Sequence, residues 1–218
     1  MKKALLVLAA LVPTGMVLAS TPIAVDTFGS AASNSGFFNV GTNGTFGENN
    51  GWTVTSGNVD VIGHYWQTPP SGLQSVDLDG SSPGAVGTTI DVSVSGDVTV
   101  DFFQSANPAG QNPKVIDVTL GASPAQSTSF NYVTMGSSYG DMMWTQESLT
   151  FDNVAAGNYL LNFTSEDTGG DAGPALADVS ASVVSSVKGV PDAGSSLVLL
   201  GAALATLGLA ARRRAQTV

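Results

Sequence analysis

The sequence predicts an all-β protein whose main domain, residues 24–184, is a single β-sandwich of the jelly-roll type. Short runs in which apolar and polar residues alternate recur through this region, and Gly, Pro, Asn and Ser separate them. This pattern is typical of strands joined by turns. No apolar stretch at helical spacing is long enough to indicate a helix there. Strands at this spacing favour a sandwich or jelly roll over a parallel sheet.

The alternation marks the predicted strands in order along the chain. The first pair of runs covers residues 90–94 and 98–102, joined at Ser95-Gly96, and we interpret it as a β-hairpin. A turn at Ala156-Gly157-Asn158 separates two later runs. About 160 residues suffice to bury a core without disulfides. The other predicted strands are residues 59–62, 116–120, 149–151, 159–163 and 176–183.

Charge and composition exclude several classes of function. Only 11% of the 218 residues are charged, and the net charge is −10. Between Thr21 and Val187 a single lysine, Lys114, stands against 16 acidic residues. Such a body cannot neutralise a run of phosphates, so we expect no nucleic-acid binding. Because the chain has no cysteine, thiol catalysis and Cys metal sites are excluded.

Residues 1–19 have the three parts of a secretory signal peptide. Two lysines form a positive n-region, residues 4–12 form a short apolar h-region, and Val17-Leu18-Ala19 supplies the small residues that signal peptidase recognises. We expect cleavage after Ala19 and export of the body. The alternative, a buried N-terminal helix, would have to stop at Pro13.

A second apolar segment, residues 197–211, precedes an arginine cluster. As a helix it spans roughly 22 Å, somewhat short of the ~30 Å hydrocarbon core, and it can cross with local thinning. Arginines at its end favour the cytoplasmic side. We therefore predict a transmembrane sorting helix with its Arg cluster over 197–214, and a tether with a sorting motif over 185–196. The alternative is a permanent tail anchor.

The residues before this apolar segment add a motif. The run Val190-Pro191-Asp192-Ala193-Gly194-Ser195-Ser196, the apolar stretch and the arginines together resemble the PEP-CTERM class of bacterial sorting signals, in its VPDSG variant. The resemblance implies a Gram-negative-type bacterium that makes exopolysaccharide, and processing by a membrane-embedded exosortase. The protein would then reach the cell surface, the outer membrane or the extracellular matrix. The residues that match the signal are Val190, Pro191, Asp192, Gly194, Arg212, Arg213 and Arg214.

The body, over about residues 37–184, resembles the choice-of-anchor C family. That family is similar to plant cell-wall proteins with galactose-binding-like jelly rolls. Two segments depart from its pattern: residues 43–48 contain an extra Gly, and residues 176–179 lack the first acid of the closing motif. The segments that carry the resemblance are residues 51–54, 57–62, 65–66, 72–80, 102–107, 143–144 and 173–176.

Aromatic residues beside polar ones predict a sugar-binding platform. Tyr65 and Trp66 follow the strand predicted at 59–62 and precede a loop rich in Pro and polar residues. Sugars stack their C–H faces on flat rings, while amides and carboxylates bind their hydroxyls. We therefore predict Tyr65 and Trp66 as the platform, with His64 and Gln67 as polar partners. Further candidate partners are Asn107 and Gln111.

Core packing is the alternative for all of these rings. For Tyr65 and Trp66 both interpretations stay open, because the loop context favours exposure. For Trp52 and Trp144 we favour the core, because large rings are mostly buried.

Two acidic, Gly-rich segments indicate a structural Ca²⁺. Asp77-Leu78-Asp79-Gly80 and residues 166–171 offer carboxylates to a hard cation. The EF-hand form fails, since the twelfth position from Asp77 is a threonine. The galactose-binding-like resemblance implies an ion near Glu48 and Asp178. Strand alternation places Asp77 and Asp79 on one face, so a solvated acidic face is the alternative.

Catalysis finds little support in the sequence. His64 is the only histidine, there is no Gly-x-Ser-x-Gly motif, and acidic pairs are too numerous to indicate a glycosidase. We expect a non-enzyme: an exported, exosortase-sorted cell-surface or extracellular-matrix protein with a carbohydrate-binding-like sandwich. Its predicted partners are signal peptidase, exosortase, extracellular polysaccharide and, before processing, the membrane. The alternative is a purely structural acidic protein that binds divalent cations and no sugar.

Overall fold

The computed structural model describes residues 20–23, 25, 28–29, 36–71 and 74–185. All of them belong to the first of two compact units, which ends at Ser185. The predicted signal peptide, the sorting motif and the C-terminal apolar segment lie outside the described residues. Within the described part of the chain, no helix has the length and apolarity needed to cross a membrane.

The described residues form thirteen strands, one short 3-10 turn and one single-turn helix. The 3-10 turn covers Glu48–Asn50, and the helix α1 covers Tyr132–Met135. The strands are β1 (Ser20–Ile23), β2 (Phe37–Gly41), β3 (Thr45–Phe46), β4 (Trp52–Ser56), β5 (Asn58–Ile62), β6 (Ser75–Asp77), β7 (Ala85–Val92), β8 (Gly96–Ala106), β9 (Lys114–Leu120), β10 (Gln126–Phe130), β11 (Thr145–Val154), β12 (Gly157–Ser165) and β13 (Pro174–Ser185).

Two antiparallel sheets pack face to face. The front sheet has the order β11-β8-β13-β6-β5-β2, and β1 also pairs with β13. The back sheet has the order β10-β9-β12-β7-β4-β3. From β6 onward the chain crosses repeatedly from one sheet to the other, which is the connectivity of a jelly roll. The predicted all-β sandwich is confirmed.

The hairpin predicted at Ser95-Gly96 is wrong. β7 pairs with β12 and β4 in the back sheet, whereas β8 pairs with β11 and β13 in the front sheet. The turn carries the chain between the sheets, and both strands bury their alternate apolar residues in one core, as Ile90 and Val100 do. Alternation shows which residues face a core, but strands that face each other across it alternate just as paired strands do.

The main core lies between the sheets and is filled from both. Trp52 is fully buried on β4, with its ring 4.9 Å from that of Phe28 and 6.1 Å from that of Phe163. Phe102 of the front sheet meets Phe163 of the back sheet edge to face at 5.3 Å. Buried aromatic rings contribute most to such a core because of their large apolar area. The prediction that Trp52 is a core residue is confirmed.

A β-bulge interrupts β13. Its pairing with β8 shifts register between Ala177 and Ser180, and Asp178 has a positive φ of 50°. The extra residue resets the alternation, so Leu176 and Val179 both reach the core although they are three positions apart. The bulge also presents the Asp178 carboxylate to the loop after β5, where it accepts hydrogen bonds from Ser71.

Candidate functional site

Strand alternation places a polar strip on the outer face of the front sheet. Asn39 of β2, Asp60 of β5 and Asp77 of β6 occupy directly paired positions on adjacent strands. Their chain neighbours Val59 and Val61 point into the main core. Since successive side chains of a strand point to opposite faces, the three polar residues lie side by side on the opposite face.

Two loops cover part of this outer face: one follows β5, and the other connects α1 to β11. A small second core holds them together. Ile62, Trp66, Met142 and Ala175 are buried there, and Trp144 packs against them. Gln67 ties the loops to each other, since its Oε1 accepts from the Met142 N–H at 2.8 Å and its carbonyl accepts from the Trp144 indole at 3.2 Å. The cover of the sheet is therefore fixed by packing and hydrogen bonds.

A cleft of about 350 Å³ opens between the polar strip and these loops. Phe37 and Tyr65 line its mouth, and Tyr139 packs beside them against Tyr65; these three rings, each 42–48% exposed, form the aromatic rim. The Tyr65 ring meets Phe37 at 5.2 Å and Tyr139 at 5.4 Å, both edge to face. Phe37 reaches this position because it pairs with Ile62, the residue before the loop that carries Tyr65. The remaining residues that line the cleft are Asn39, Asp60, Ile62, Trp66, Asp77, Gly80, Ser81, Asn107 and Asp171.

A hydrogen-bond chain connects the rim to the floor of the cleft. The Tyr139 hydroxyl donates to Asn107 Oδ1 at 3.1 Å, and Asn107 Nδ2 donates to Asp77 Oδ2 at 3.0 Å. The other Asp77 oxygen accepts from the N–H groups of Asp79 and Gly173. Burial nevertheless raises the pKa of Asp77 to about 8, and the three donors oppose that increase.

The cleft has a negative charge with no cation beside it. Burial raises the pKa of the half-buried Asp60, the 2.8 Å hydrogen bond from Asn39 opposes this, and the charge of Asp171 adds to it. Lys114 is the only lysine or arginine among the described residues. It is fully buried in an ion pair with Asp167 and so does not face the cleft.

Some of the residues predicted to bind sugar line the cleft, and others do not. Tyr65 lines the cleft and is 46% exposed, and its role as a platform stays a prediction. Trp66 lines the cleft but is only 4% exposed, and its indole donates to Ser75 Oγ at 2.8 Å, so it does not offer a free stacking face. Its flat apolar ring is instead required by the second core. His64 is exposed and does not line the cleft, and Gln67 holds the two loops together.

Of the two further candidate polar partners, Asn107 lies in the cleft. Gln111 accepts from the backbone and hydroxyl of Thr168 and does not line the cleft. Trp144 is half-buried against the second core. Phe37 was missed by the sequence reasoning, because its position depends on the pairing of β2 with β5.

A buried charged group of Lys114, Asp167 and Asp79 lies behind the cleft floor. Lys114 Nζ donates to Asp167 Oδ2 at 2.7 Å and also to the Ala172 carbonyl. Burial raises the pKa of Asp79 to about 6; the charge of Asp167 adds to this, while Lys114 opposes it. Since Asp77 and Asp79 are 2% and 0% exposed, the solvated-face interpretation of their alternation is wrong.

Gly173 separates the cleft from the buried charged group. A Cβ at this position would lie 2.6 Å from Asp79 Cγ and 2.7 Å from Asp77 Oδ1. Glycine is therefore needed for both carboxyl groups to approach the same point of the backbone. The two acidic segments of the sequence, residues 77–80 and 166–171, meet at this place in the fold, where the charge of Asp167 acts on Asp79.

The residues predicted to hold calcium lie on separate elements, a 3-10 turn and a strand. Glu48 is exposed on the 3-10 turn between β3 and β4, and Asp178 lies on β13 with Ser71 donating to both carboxylate oxygens. Across the described ranges, no group of three or more His, Cys, Asp or Glu residues is arranged to hold a metal ion. A structural Ca²⁺ at Glu48 and Asp178 stays a prediction.

Comparison with known proteins finds similarity over only part of this chain. No family model matches the chain. Halomucin of Haloquadratum walsbyi is 53% identical over 36 residues, which are 16% of this chain and, to the nearest per cent, 0% of halomucin. This chain therefore spans far less than two thirds of halomucin.

Three solved structures are similar at low identity. CBM35 from Paenibacillus barcinonensis gives a TM-score of 0.42 at 14% identity, over 67% of this chain and 98% of that one. The C-terminal CBM6 of LamC, a laminarinase from Zobellia galactanivorans, gives 0.40 at 14%, over 66% and 98%. A carbohydrate-binding module of Cellvibrio mixtus lichenase 5A gives 0.39 at 14%, over 76% and 97%. What the cleft binds has to be inferred from its own residues.

Proposed function

We propose that this protein is a non-catalytic carbohydrate-binding protein whose ligand lies in the cleft of the front sheet. The observation that carries the proposal is the aromatic rim beside the polar strip. Tyr65 and Phe37 offer half-exposed rings at the mouth, and Asn39, Asp60 and Asn107 offer amide and carboxylate groups within. A sugar needs both, since its C–H faces stack on rings and its hydroxyls need polar partners.

The rigidity of the cleft supports this proposal. Tyr65 is held between two rings, and Gln67 fixes the loop that carries it. A platform that is already ordered loses little conformational entropy when a ligand binds. The small second core therefore supports the site by keeping the loops in place.

Two observations support a non-catalytic role. His64, the only histidine of the chain, does not line the cleft, so no imidazole base acts there. Asp77 on the floor already accepts three N–H groups and is 2% exposed, so it is poorly placed to exchange a proton with a ligand.

The proposal includes export and exosortase sorting of a choice-of-anchor C protein. β1 begins at Ser20, directly after the predicted cleavage site, and β13 ends at Ser185, before the predicted sorting motif. Removal of both ends would leave every described strand in the sandwich. The intact mass of the protein recovered from the extracellular fraction tests this part. A chain that begins at Ser20 and ends within residues 190–196 supports it, and one that still ends at Val218 contradicts it.

Binding to a panel of bacterial exopolysaccharides, with EDTA present, tests the sugar-binding proposal. We expect the full chain to bind at least one of them at millimolar concentration or below. Tyr65→Ala should weaken that binding about fivefold, because an aromatic contact contributes about 1 kcal/mol. Leu160→Ala, an exposed apolar position on β12 of the back sheet, is the matched control and should change nothing. Absence of any binding would overturn the proposal.

A structural acidic protein that binds divalent cations is the second candidate. It is favoured by the charge of the described surface, where no lysine or arginine is exposed and acidic residues are common. The same panel separates the two candidates. Association with polysaccharide that requires Ca²⁺, is lost with EDTA and is insensitive to Tyr65→Ala would favour this second function.

A further inference from the structure

We infer that the cleft selects sugars that carry a free, protonated amino group and rejects sugars that carry carboxylate or sulfate groups. The inference rests on the proposed sugar-binding function and names the ligand class of the same site. It comes from the charge of the cleft taken together with its aromatic rim.

The cleft lacks any group that can neutralise an anion. Asp60, Asp77 and Asp171 line it, and no basic side chain does. Lys114, the one lysine or arginine in the described ranges, is fully buried and paired with Asp167. A uronic acid would bring its carboxylate next to Asp60 and Asp171 and lose its own hydration, which is unfavourable without a positive partner.

An ammonium group would relieve the repulsion that the cleft already contains. Asp60 is half-buried with one side-chain hydrogen bond, from Asn39, and it also experiences the negative charge of Asp171. A positive charge placed between Asp60 and Asp171 is attracted to both. Hydrogen bonds between ionised partners are also stronger than those between neutral ones.

The aromatic rim explains why a sugar amine fits better than a bare cation. Tyr65 and Phe37 offer apolar ring faces to the C–H groups of a pyranose, and a tyrosine ring also attracts an ammonium group. A metal ion would leave these rings unused, and the described residues hold no three-ligand group for one. The exposed amide of Asn39 is then available for a sugar hydroxyl.

The test compares four tetrasaccharides by calorimetry on the full chain, at pH 6 and with EDTA present. The probes are β-1,4-linked tetramers of glucosamine, N-acetylglucosamine and glucose, together with a galacturonate tetramer. We expect the glucosamine tetramer to bind about tenfold more tightly than the glucose tetramer, because it adds a charge-assisted contact. The galacturonate tetramer should not bind measurably.

Asp60→Asn is the decisive variant. The new amide oxygen can still accept from Asn39, so the strip is retained while the charge is lost. It should bring glucosamine binding close to glucose binding. Asp171→Asn, at an exposed position, should reduce the preference less. Asp91→Asn, exposed on β7 of the back sheet, is the matched control and should leave the preference unchanged.

The outcomes separate this inference from the proposed function. If the glucose or galacturonate tetramer binds as tightly as the glucosamine tetramer, the selectivity is refuted and sugar binding stands. If no tetramer and no polysaccharide binds, both are refuted. A tetralysine peptide is included as a competitor. If it displaces the glucosamine tetramer at equal concentration, the cleft recognises amines without the sugar ring, and the inference fails.

Discussion

The cleft and the buried charged group both rely on aspartates, yet these aspartates have different environments. In the cleft, Asp60 and Asp171 lie on a surface with no neighbouring cation. Behind it, Asp167 is fully buried and paired with Lys114 at 2.7 Å. Only the first arrangement leaves carboxylates available to a ligand. In the second, Asp167 has its counter-ion within the protein, and its contribution is to the folded state.

Gly173 is the point at which the two regions meet. Its N–H donates to Asp77 on the cleft floor, and its missing side chain leaves room for Asp79 of the buried charged group. The two regions also interact at this point through the charge of Asp79, which adds to the raised pKa of Asp77. Changes behind the cleft floor should alter mainly stability, whereas changes at the mouth of the cleft should alter mainly binding.

The largest effect is expected for Lys114→Met. The methionine fills a similar volume, but Asp167 is then left buried without its counter-ion, a change that typically costs about 3–5 kcal/mol. Urea denaturation should show a loss of this size. Lys114→Met combined with Asp167→Asn should recover part of it, since the uncompensated charge is gone. If the single variant is as stable as the parent, the ion pair does not contribute to stability, and the role assigned to the buried charged group is wrong.

Stability should fall as the pH rises through the range of the buried aspartates. The pKa of Asp79 is raised to about 6 and that of Asp77 to about 8, from an ordinary value near 3.8. Between pH 4 and 8 the folded state therefore binds more protons than the unfolded state, so the free energy of unfolding decreases with increasing pH.

Urea midpoints at pH 5, 7 and 9 measure this decrease. We expect a loss of at least about 2 kcal/mol over the range, since each unit of pKa difference corresponds to about 1.4 kcal/mol. Asp79→Asn should flatten the lower half of the curve, because that group no longer titrates. Midpoints that rise with pH would show that these carboxyls are ionised more easily in the folded state.

Gly173→Ala should cost about 1–3 kcal/mol, the usual range for overpacking. The added methyl group would contact carboxyl atoms of Asp77 and Asp79, at 2.7 and 2.6 Å. Thermal unfolding measures the loss. Gly140→Ala is the matched control, because a Cβ there meets nothing within 4 Å. An equal effect of the two substitutions would mean that the close approach at Gly173 is not what limits stability.

Much of the sandwich could be predicted from the sequence, because alternation is a local signal. It indicated the inward residues of most strands, whereas the burial of Trp52 was expected from the size of its ring. It could also have indicated that Lys114 is buried, since that residue is in phase with Ile116, Val118 and Leu120 on β9. The phase slip between Leu176 and Val179 was likewise a visible sign of the bulge.

The pairing of strands could not be predicted in the same way. Alternation led to a hairpin at Ser95-Gly96, where the chain instead changes sheet. The cleft depends on pairing, because only the pairing of β5 with β2 on one side and β6 on the other brings Asn39, Asp60 and Asp77 together. The burial of Trp66 could not be predicted from the local sequence either. Its loop position indicated exposure, but the contact with Met142 that buries it joins segments 76 residues apart.

The smallest effect on stability is expected for Asp171→Asn. This variant tests most directly whether the cleft and the buried charged group are electrostatically independent. Asp171 is exposed, so the free energy of unfolding should change by no more than about 0.5 kcal/mol. Its charge nevertheless raises the pKa of Asp60, so removing it should lower the Asp60 pKa measured by carboxyl ¹³C NMR titration. The pKa of Asp79 should stay the same, because its charged neighbours are Asp167 and Lys114. If Asp60 titrates unchanged, the cleft carboxylates do not interact. If Asp79 shifts equally, the cleft and the buried charged group form one electrostatic unit, and the distinction between a ligand-facing and an internal acidic region is lost.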